Sequence, residues 1–263
     1  MFKHRSLLVA ATGVFTFFAC QSNTPTAPAA SPLTVAMTQV KKENCIRDSV
    51  CATLDLTYPV LSGGNTSITA AINDSIKAFV YLVAGANPAL PLPQALDSAA
   101  LNMFVLLKED LDLRDDHIGM SFSNGLTSKV LWQTNRYLSL DMSTYSFSGG
   151  AHGMYGTLLE TFDLTSGKPL NLIDIIRDTV ALRPLLEKGF VDAKKEEAPD
   201  LTLRDLLLPE FKNLPMPAMY CLVPEGVRFV YNPYEVAPYA VGQTEILLTW
   251  EQLGKLADKA KWQ

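Results

Sequence analysis

Residues 137–170, YLSLDMSTYSFSGGAHGMYGTLLETFDLTSGKPL, constrain this chain more than any other stretch. Leu138, Leu140, Met142 and Thr144 alternate with Ser139, Asp141 and Ser143, and a period of two is the pattern of a half-buried strand. Tyr145 and Phe147 then fall on the opposite face. Either a bulge re-aims them or they form an aromatic patch on the outer face. Gly149, Gly150 and Gly153 surround Ala151 and His152, and three glycines in five residues ask for positive φ or a close backbone approach. A second strand follows over residues 155–164, and Thr165-Ser166-Gly167-Lys168 turns the chain.

The segments around this stretch set the fold class. Residues 52–60 alternate and read as a strand. Gly63-Gly64-Asn65 turns the chain, and Thr66 or Ser67 is placed to cap a helix whose apolar stripe is Ile68, Ile72, Ile76, Phe79, Val80 and Val83. Leu96, Ala100, Met103, Phe104, Leu107 and Leu111 predict a second helix. Residues 118–122 and 129–134 read as short strands joined by a Ser123-Asn124-Gly125 turn, since Asn-Gly is a hairpin signal. Beyond the turn at 165–168 the pattern gives short helices, strands at 219–222, 226–231 and 244–250, and a closing helix over 251–260. Strands and helices come in runs, which predicts an α+β fold: an antiparallel sheet with helices packed on it, in two sequential subdomains, 35–164 and 165–263.

The N-terminus predicts export. Lys3 and Arg5 precede an apolar run over residues 7–19, too short for a comfortable span. Ala19-Cys20 resembles a bacterial lipobox, with Phe17 departing from the usual Leu. The expectation is a signal peptide over 1–19 and an acyl group on Cys20, palmitate for instance; the alternative is an ordinary secretory signal with an incidental cysteine. Residues 20–34 are rich in Ser, Thr, Pro and Ala and read as a flexible tether. An exported chain sits where disulfides persist. Cys45 and Cys51 close a short loop and are the favoured pair; a bond from Cys221 to either of them, or three free thiols, remain open at this level.

Two separated motifs carry a resemblance. The aromatic strand, then GGAHG, then a strand ending Phe162-Asp163-Leu164-x-x-Gly167-Lys168-x-Leu170 form the first. The second is Phe229-Val230-Tyr231-Asn232-Pro233-Tyr234-Glu235-Val236-Ala237-Pro238-Tyr239-Ala240, followed by Gly242. Together they resemble the paired domains of unknown function in RsiV-type anti-sigma factor ectodomains, which also precede the catalytic domain of PdaC-type peptidoglycan deacetylases and occur as free-standing bacterial lipoproteins. The resemblance covers roughly residues 51–256. It implies a partner in the cell envelope, either cell-wall glycan (peptidoglycan) or a lysozyme-like protein. From the N-terminus, the expected location is the periplasmic or outer-membrane side, with the membrane engaged through lipid on Cys20. The chain shows no sigma-binding segment and no membrane span, so it is not expected to be a transmembrane anti-sigma factor itself.

The residues point to binding rather than catalysis; the alternative is a peptidoglycan-modifying hydrolase or deacetylase, or its accessory subunit. Net charge is −5 with pI about 5.2 and no Lys/Arg block, which argues against nucleic acid. Of the three histidines, His4 lies in the expected signal peptide, His117 reads as a surface residue after an acidic run, and His152 has no nearby His or Cys at helical or C-x-x-C spacing, so no metal or cofactor is expected. Asp110, Asp112, Asp115 and Asp116 lack a calcium-loop pattern and read as a solvated face. Thr161-Phe162-Asp163-Leu164 looks like half of the deacetylase T-F-D-D motif, but Leu164 replaces the second Asp and no paired histidines follow. Ser148 near His152 is not in a nucleophile elbow, and no catalytic residue is expected. The candidate binding residues are Tyr145, Gly150 and His152 from the first motif and Tyr234, Glu235 and Tyr239 from the second, with the two segments near each other.

Overall fold

The computed structural model describes residues 31–47, 50–113, 121–197 and 199–262. The expected signal peptide, Cys20, most of the tether, Asp115, Asp116, His117 and the start of the strand expected at 118 lie outside the described residues. The last residues of the expected tether are held in place. Gly64 N donates to Ser31 O (2.6 Å), and Leu33 packs against the core.

The first sheet has six strands: β1 (Thr34–Arg47), β2 (Val50–Ser62), β3 (Phe122–Gln133), β4 (Tyr137–Phe147), β5 (Met154–Asp163) and β6 (Lys168–Pro169), in that spatial order. Helices α1 (Thr66–Ala84) and α2 (Leu92–Asp112) connect β2 to β3. A connection of that length returns the chain to the end where β2 began, so β2 and β3 pair in parallel, whereas the other pairings are antiparallel. This pairing refines the antiparallel reading.

It also corrects a local one. Asn124 and Gly125 are not a turn. They sit inside β3, opposite Leu54 and Asp55 on one side and Ser146 and Tyr145 on the other. A neighbour on each side satisfies the backbone groups that a hairpin turn would otherwise have freed. The bulge also falls elsewhere, in β3 between Val130 and Trp132, while β4 and β5 pair without a shift.

Helix α1 is capped by Asn65, not by Thr66 or Ser67. The Asn65 side chain accepts from Ser67 N (3.1 Å) and Ile68 N (3.4 Å). Its stripe of Ile72, Ile76 and Val80 meets Leu54 and Leu56 of β2 and Leu138, Leu140 and Met142 of β4. Each such side chain, fully buried, stabilises the fold by roughly 1.5–3 kcal/mol relative to exposure. α1 and α2 thus cover one face of the sheet.

The rest of the chain adds α3 (Leu172–Ile175), α4 (Thr179–Asp192), α5 (Leu203–Leu206), the antiparallel sheet β7 (Met219–Val223), β8 (Gly226–Tyr231) and β9 (Thr244–Thr249), then α6 (Trp250–Leu253) and α7 (Lys259–Trp262). The single closing helix expected over 251–260 is broken at Gly254, whose φ of 51° stops α6. On one face of the small sheet, Val227, Phe229, Tyr231, Ile246 and Leu248 pack against Leu182, Leu186 and Phe190 of α4. The approach is close. A Cβ on Gly189 would stand 2.5 Å from Ile246 Cγ2.

The other face of the small sheet, through Cys221, Val223 and Val230, meets Leu159 on the large one. Residues Ser31–Gln263 therefore form one compact unit, layered as helices, six-stranded sheet, three-stranded sheet and helices. The expected subdomain boundary at 164/165 lies in the turn before β6, which still belongs to the large sheet. Covering both faces changes how β4 reads. It is buried from Tyr137 through Met142, not half-buried, because the small sheet lies over the side that carries Ser139 and Asp141. Among the described residues no helix is long and apolar enough to cross a membrane.

Candidate functional site

The polar face of β4 forms a seam between the sheets. Ser139 Oγ and Thr161 Oγ1 are hydrogen-bonded at 2.9 Å, and Thr161 Oγ1 accepts from Leu222 N at 2.8 Å. Ser143 donates to Asp141 (2.8 Å), and Asp141 faces Arg228 at 3.4 Å. Thr161-Phe162-Asp163 is thus accounted for by structure. Thr161 bridges the sheets, Phe162 is fully buried in the core and Asp163 accepts from Thr165 N (2.7 Å) in the turn.

At one end of the seam the two sequence motifs come together. Asn232 anchors the second on the first. Its side chain accepts from Thr157 N (2.7 Å) and donates to Thr157 O (3.1 Å), and Gln243 Nε2 donates to Thr157 Oγ1 (2.8 Å). Asn232-Pro233-Tyr234-Glu235 then makes a tight turn closed by Glu235 N to Asn232 O (3.1 Å). Proline at the second position and φ of +66° at Tyr234 are the features of a type II turn, whose third position ordinarily takes Gly or Asn. A tyrosine there stores backbone strain of about 1 kcal/mol or more. Glu235 holds the turn through its carboxylate, which accepts from Asn232 N at 2.9 Å.

The turn delivers a cluster of rings. His152 stacks on Tyr239 with centroids 3.8 Å apart and planes 18° from parallel. Tyr234 lies 5.6 Å from Tyr239, and Tyr155 meets it edge-on at 5.8 Å. The Tyr239 hydroxyl donates to Gly153 O (2.8 Å), and His152 Nδ1 contacts the same carbonyl at 3.0 Å. A carbonyl only accepts, so Nδ1 carries the proton and a neutral ring keeps Nε2 as an acceptor. Loss of solvent, with Tyr155, Tyr145 and Tyr234 alongside, raises the Tyr239 pKa and keeps its hydroxyl a donor. The Tyr145 ring lies over Gly153, where an added Cβ would fall 2.5 Å from it. Gly149 and Gly150 have φ of 92° and 99°, the left-handed values their type allows, and they bend the chain so that His152 reaches Tyr239. Tyr145 and Tyr234 remain about half exposed, at 47% and 51%.

The structure therefore places Tyr145, Gly150, His152, Tyr234, Glu235 and Tyr239 in one corner, with Gly150 and Glu235 shaping backbone and the rings forming the surface. Asn232, Gln243 and Tyr155 also build it and carry no site expectation from sequence; Asn-Pro as a turn-initiating pair was the available signal. Cys45 and Cys51 are not among the corner residues. They are bonded to each other across the β1–β2 pair. Cys221 is free and buried in the seam, and burial pushes its thiol up to about 12, the reverse of an activated nucleophile. Among the described residues no group of three His, Cys, Asp or Glu side chains is arranged to hold a metal.

Residues 46–155 match the family model described as Deacetylase PdaC, and residues 174–251 match the one described as Protein of unknown function (DUF3298). The chain carries these two domains in tandem. Solved structures agree at the level of fold. A DUF3298 family member from Bacteroides fragilis superposes with a TM-score of 0.65 at 18% identity, covering 86% of this chain and 94% of its own. A DUF3298 family protein from Pseudomonas aeruginosa gives 0.57 at 19% identity, covering 87% and 96%. Among curated proteins none matches. The aromatic corner draws on both halves of the tandem: His152 and Tyr155 come from the PdaC-type domain, Tyr234 and Tyr239 from the DUF3298-type domain.

Proposed function

We propose that this protein is an exported, lipid-anchored module of the bacterial cell envelope that captures cell-wall glycan at the aromatic corner and performs no chemistry on it. The observation that carries the reading is the strained Tyr234. The fold holds a half-exposed aromatic at a backbone position suited to glycine, pinned through Asn232, beside a stacked His152–Tyr239 pair. Strain of that kind persists where the surroundings enforce it and function uses it. Rigid aromatic faces with hydroxyl and imidazole groups suit a ring-shaped, hydroxyl-bearing ligand. The Cys45–Cys51 bond and the charged-then-apolar N-terminus support export.

Tyr234→Asn tests this directly. Asparagine tolerates left-handed φ, so the melting temperature is expected to hold or rise, while retention on insoluble peptidoglycan falls about 5–100-fold, the loss of one anchor. A melting temperature that drops with retention unchanged would make Tyr234 a structural plug. Retention on immobilised lysozyme, lost in the same variant, with none on peptidoglycan, would move the reading to a protein ligand.

A further inference from the structure

The small sheet covers only part of the seam face. It lies over Ser139 and Asp141 and leaves Tyr145 half exposed, and on β2 the same face carries Thr53, Asp55 and Thr57, all partly exposed. One cross-strand row runs over this open part. Asp55 is opposite Gly125, Gly125 is opposite Tyr145, and Tyr145 is opposite Tyr155, whose ring meets Tyr239 in the corner.

Gly125 is the informative member. Glycine inside a strand weakens it and marks a bulge, a bend or a close approach. The bulge of β3 lies between Val130 and Trp132, away from Gly125, and the φ of Gly125 is not in the left-handed range. Packing does not require it either. An added Cβ would find its nearest neighbours at 3.7 Å (Asp55 O), 3.8 Å (Tyr145 O) and 4.0 Å (Tyr145 Cβ), ordinary contact distances to the flanking strands alone. The Tyr145 ring leans away, over Gly153. The fold therefore leaves a flat floor at Gly125 that its own architecture does not need. The Asp55 and Tyr145 backbones stand two strand spacings apart, about 10 Å, on either side of it. Gln39 Nε2 donates to Asp55 Oδ1 (3.2 Å), and the second carboxylate oxygen has no partner among the described residues.

We infer that Asp55, Gly125 and Tyr145 form a subsite for one sugar ring of a polysaccharide, continuous with the aromatic corner, so that the protein reads several successive units of its ligand. The inference rests on the glycan reading of the corner. The chemistry follows from the row. A carboxylate accepts from two ring hydroxyls, a bare backbone floor lets the ring lie close, and the half-exposed Tyr145 ring, leaning over Gly153, bounds the floor on the side of the corner. A polymer chain lying along the row would have one unit over Gly125 while a neighbouring unit meets the rings of the corner.

The test uses the full chain and soluble peptidoglycan glycan fragments of one and of three disaccharides, with binding followed by calorimetry. The longer fragment is expected to bind wild type at least tenfold more tightly than the shorter. Gly125→Val, which fills the floor with a strand-favouring side chain, and Asp55→Asn, which keeps the shape, should each abolish that gain while leaving the short fragment's affinity and the melting temperature in place. Tyr234→Asn should weaken both fragments. A length gain that survives in Gly125→Val and Asp55→Asn overturns the subsite and spares the corner. Affinities that Tyr234→Asn leaves unchanged, with the gain lost in the floor variants, overturn the corner as the primary anchor and keep the floor. Absence of binding to either fragment by wild type overturns both.

Discussion

From Tyr137 to Met142 the two faces of β4 are both buried, yet they are built from opposite chemistry. Toward α1, Leu138, Leu140 and Met142 join an apolar core. Toward the small sheet, Ser139, Asp141 and Ser143 enter a network with Thr161, Thr157 and Arg228. Burial on the first side is driven by apolar area and is indifferent to direction. Burial on the second is tolerated only because each polar group finds a partner, and that requirement fixes register and angle. The difference explains why the aromatic corner sits where it does. The seam is directional, so the bonds of Asn232 and Gln243 to Thr157 place the Tyr234 turn at one position along β5.

The largest expected effect breaks the apolar side. Leu140 is fully buried, and Leu140→Ala should cost about 2–5 kcal/mol by lost transfer and an unfilled cavity. Urea unfolding would show it as a lower midpoint, with ligand retention unchanged in the molecules that remain folded. On the polar side, Thr161→Val keeps the shape but removes the acceptor of Leu222 N and the partner of Ser139. A buried N–H left without an acceptor costs about 1–3 kcal/mol. Because the bond ties one sheet to the other, hydrogen exchange of β7 should speed up more than that of β2. Equal acceleration in both strands would count against a seam that locks the two sheets.

The same contrast shows what the sequence discloses. Alternation along residues 138–144 identified a strand, and the Ile72/Ile76/Val80 stripe identified α1, because spacing follows from backbone geometry and is local. Alternation could not distinguish a face in water from a face against a polar partner, since Ser139 and Asp141 suit both. Asn124-Gly125 carried the chemistry of a turn, and only the neighbours β2 and β4, brought in by the two-helix crossover, make it strand. GGAHG and the Pro233–Ala240 run stood out one by one, as segments regular structure does not explain. Asn232, Gln243 and Tyr155 did not, because their roles arise from contacts with residues far along the chain, 75 residues for Asn232 with Thr157 and 86 for Gln243.

Glu160 supplies the smallest test and the sharpest one. It stands opposite Leu140 on β5, half-buried on the face that carries Leu158 and Phe162 into the apolar core, and burial raises its carboxyl above the usual range. Asp141, across the sheet, has Arg228; Glu160 has no charged partner among the described residues. The linkage has a definite sign. A carboxyl whose folded pKa lies above its unfolded value, about 4.3 for Glu, favours the folded state fully only below that unfolded value. The contribution is lost as pH rises through the raised folded pKa, so at neutral pH the ionised side chain is a standing penalty. Glu160→Gln removes the charge and keeps the shape. It should raise the urea midpoint at pH 7 and leave it nearly unchanged below about pH 4, where wild type is itself protonated. An equal shift at both pH values would mean that the carboxylate is solvated in the folded state, and that this face of the sheet is not as dry beside β5 as it is beneath α1.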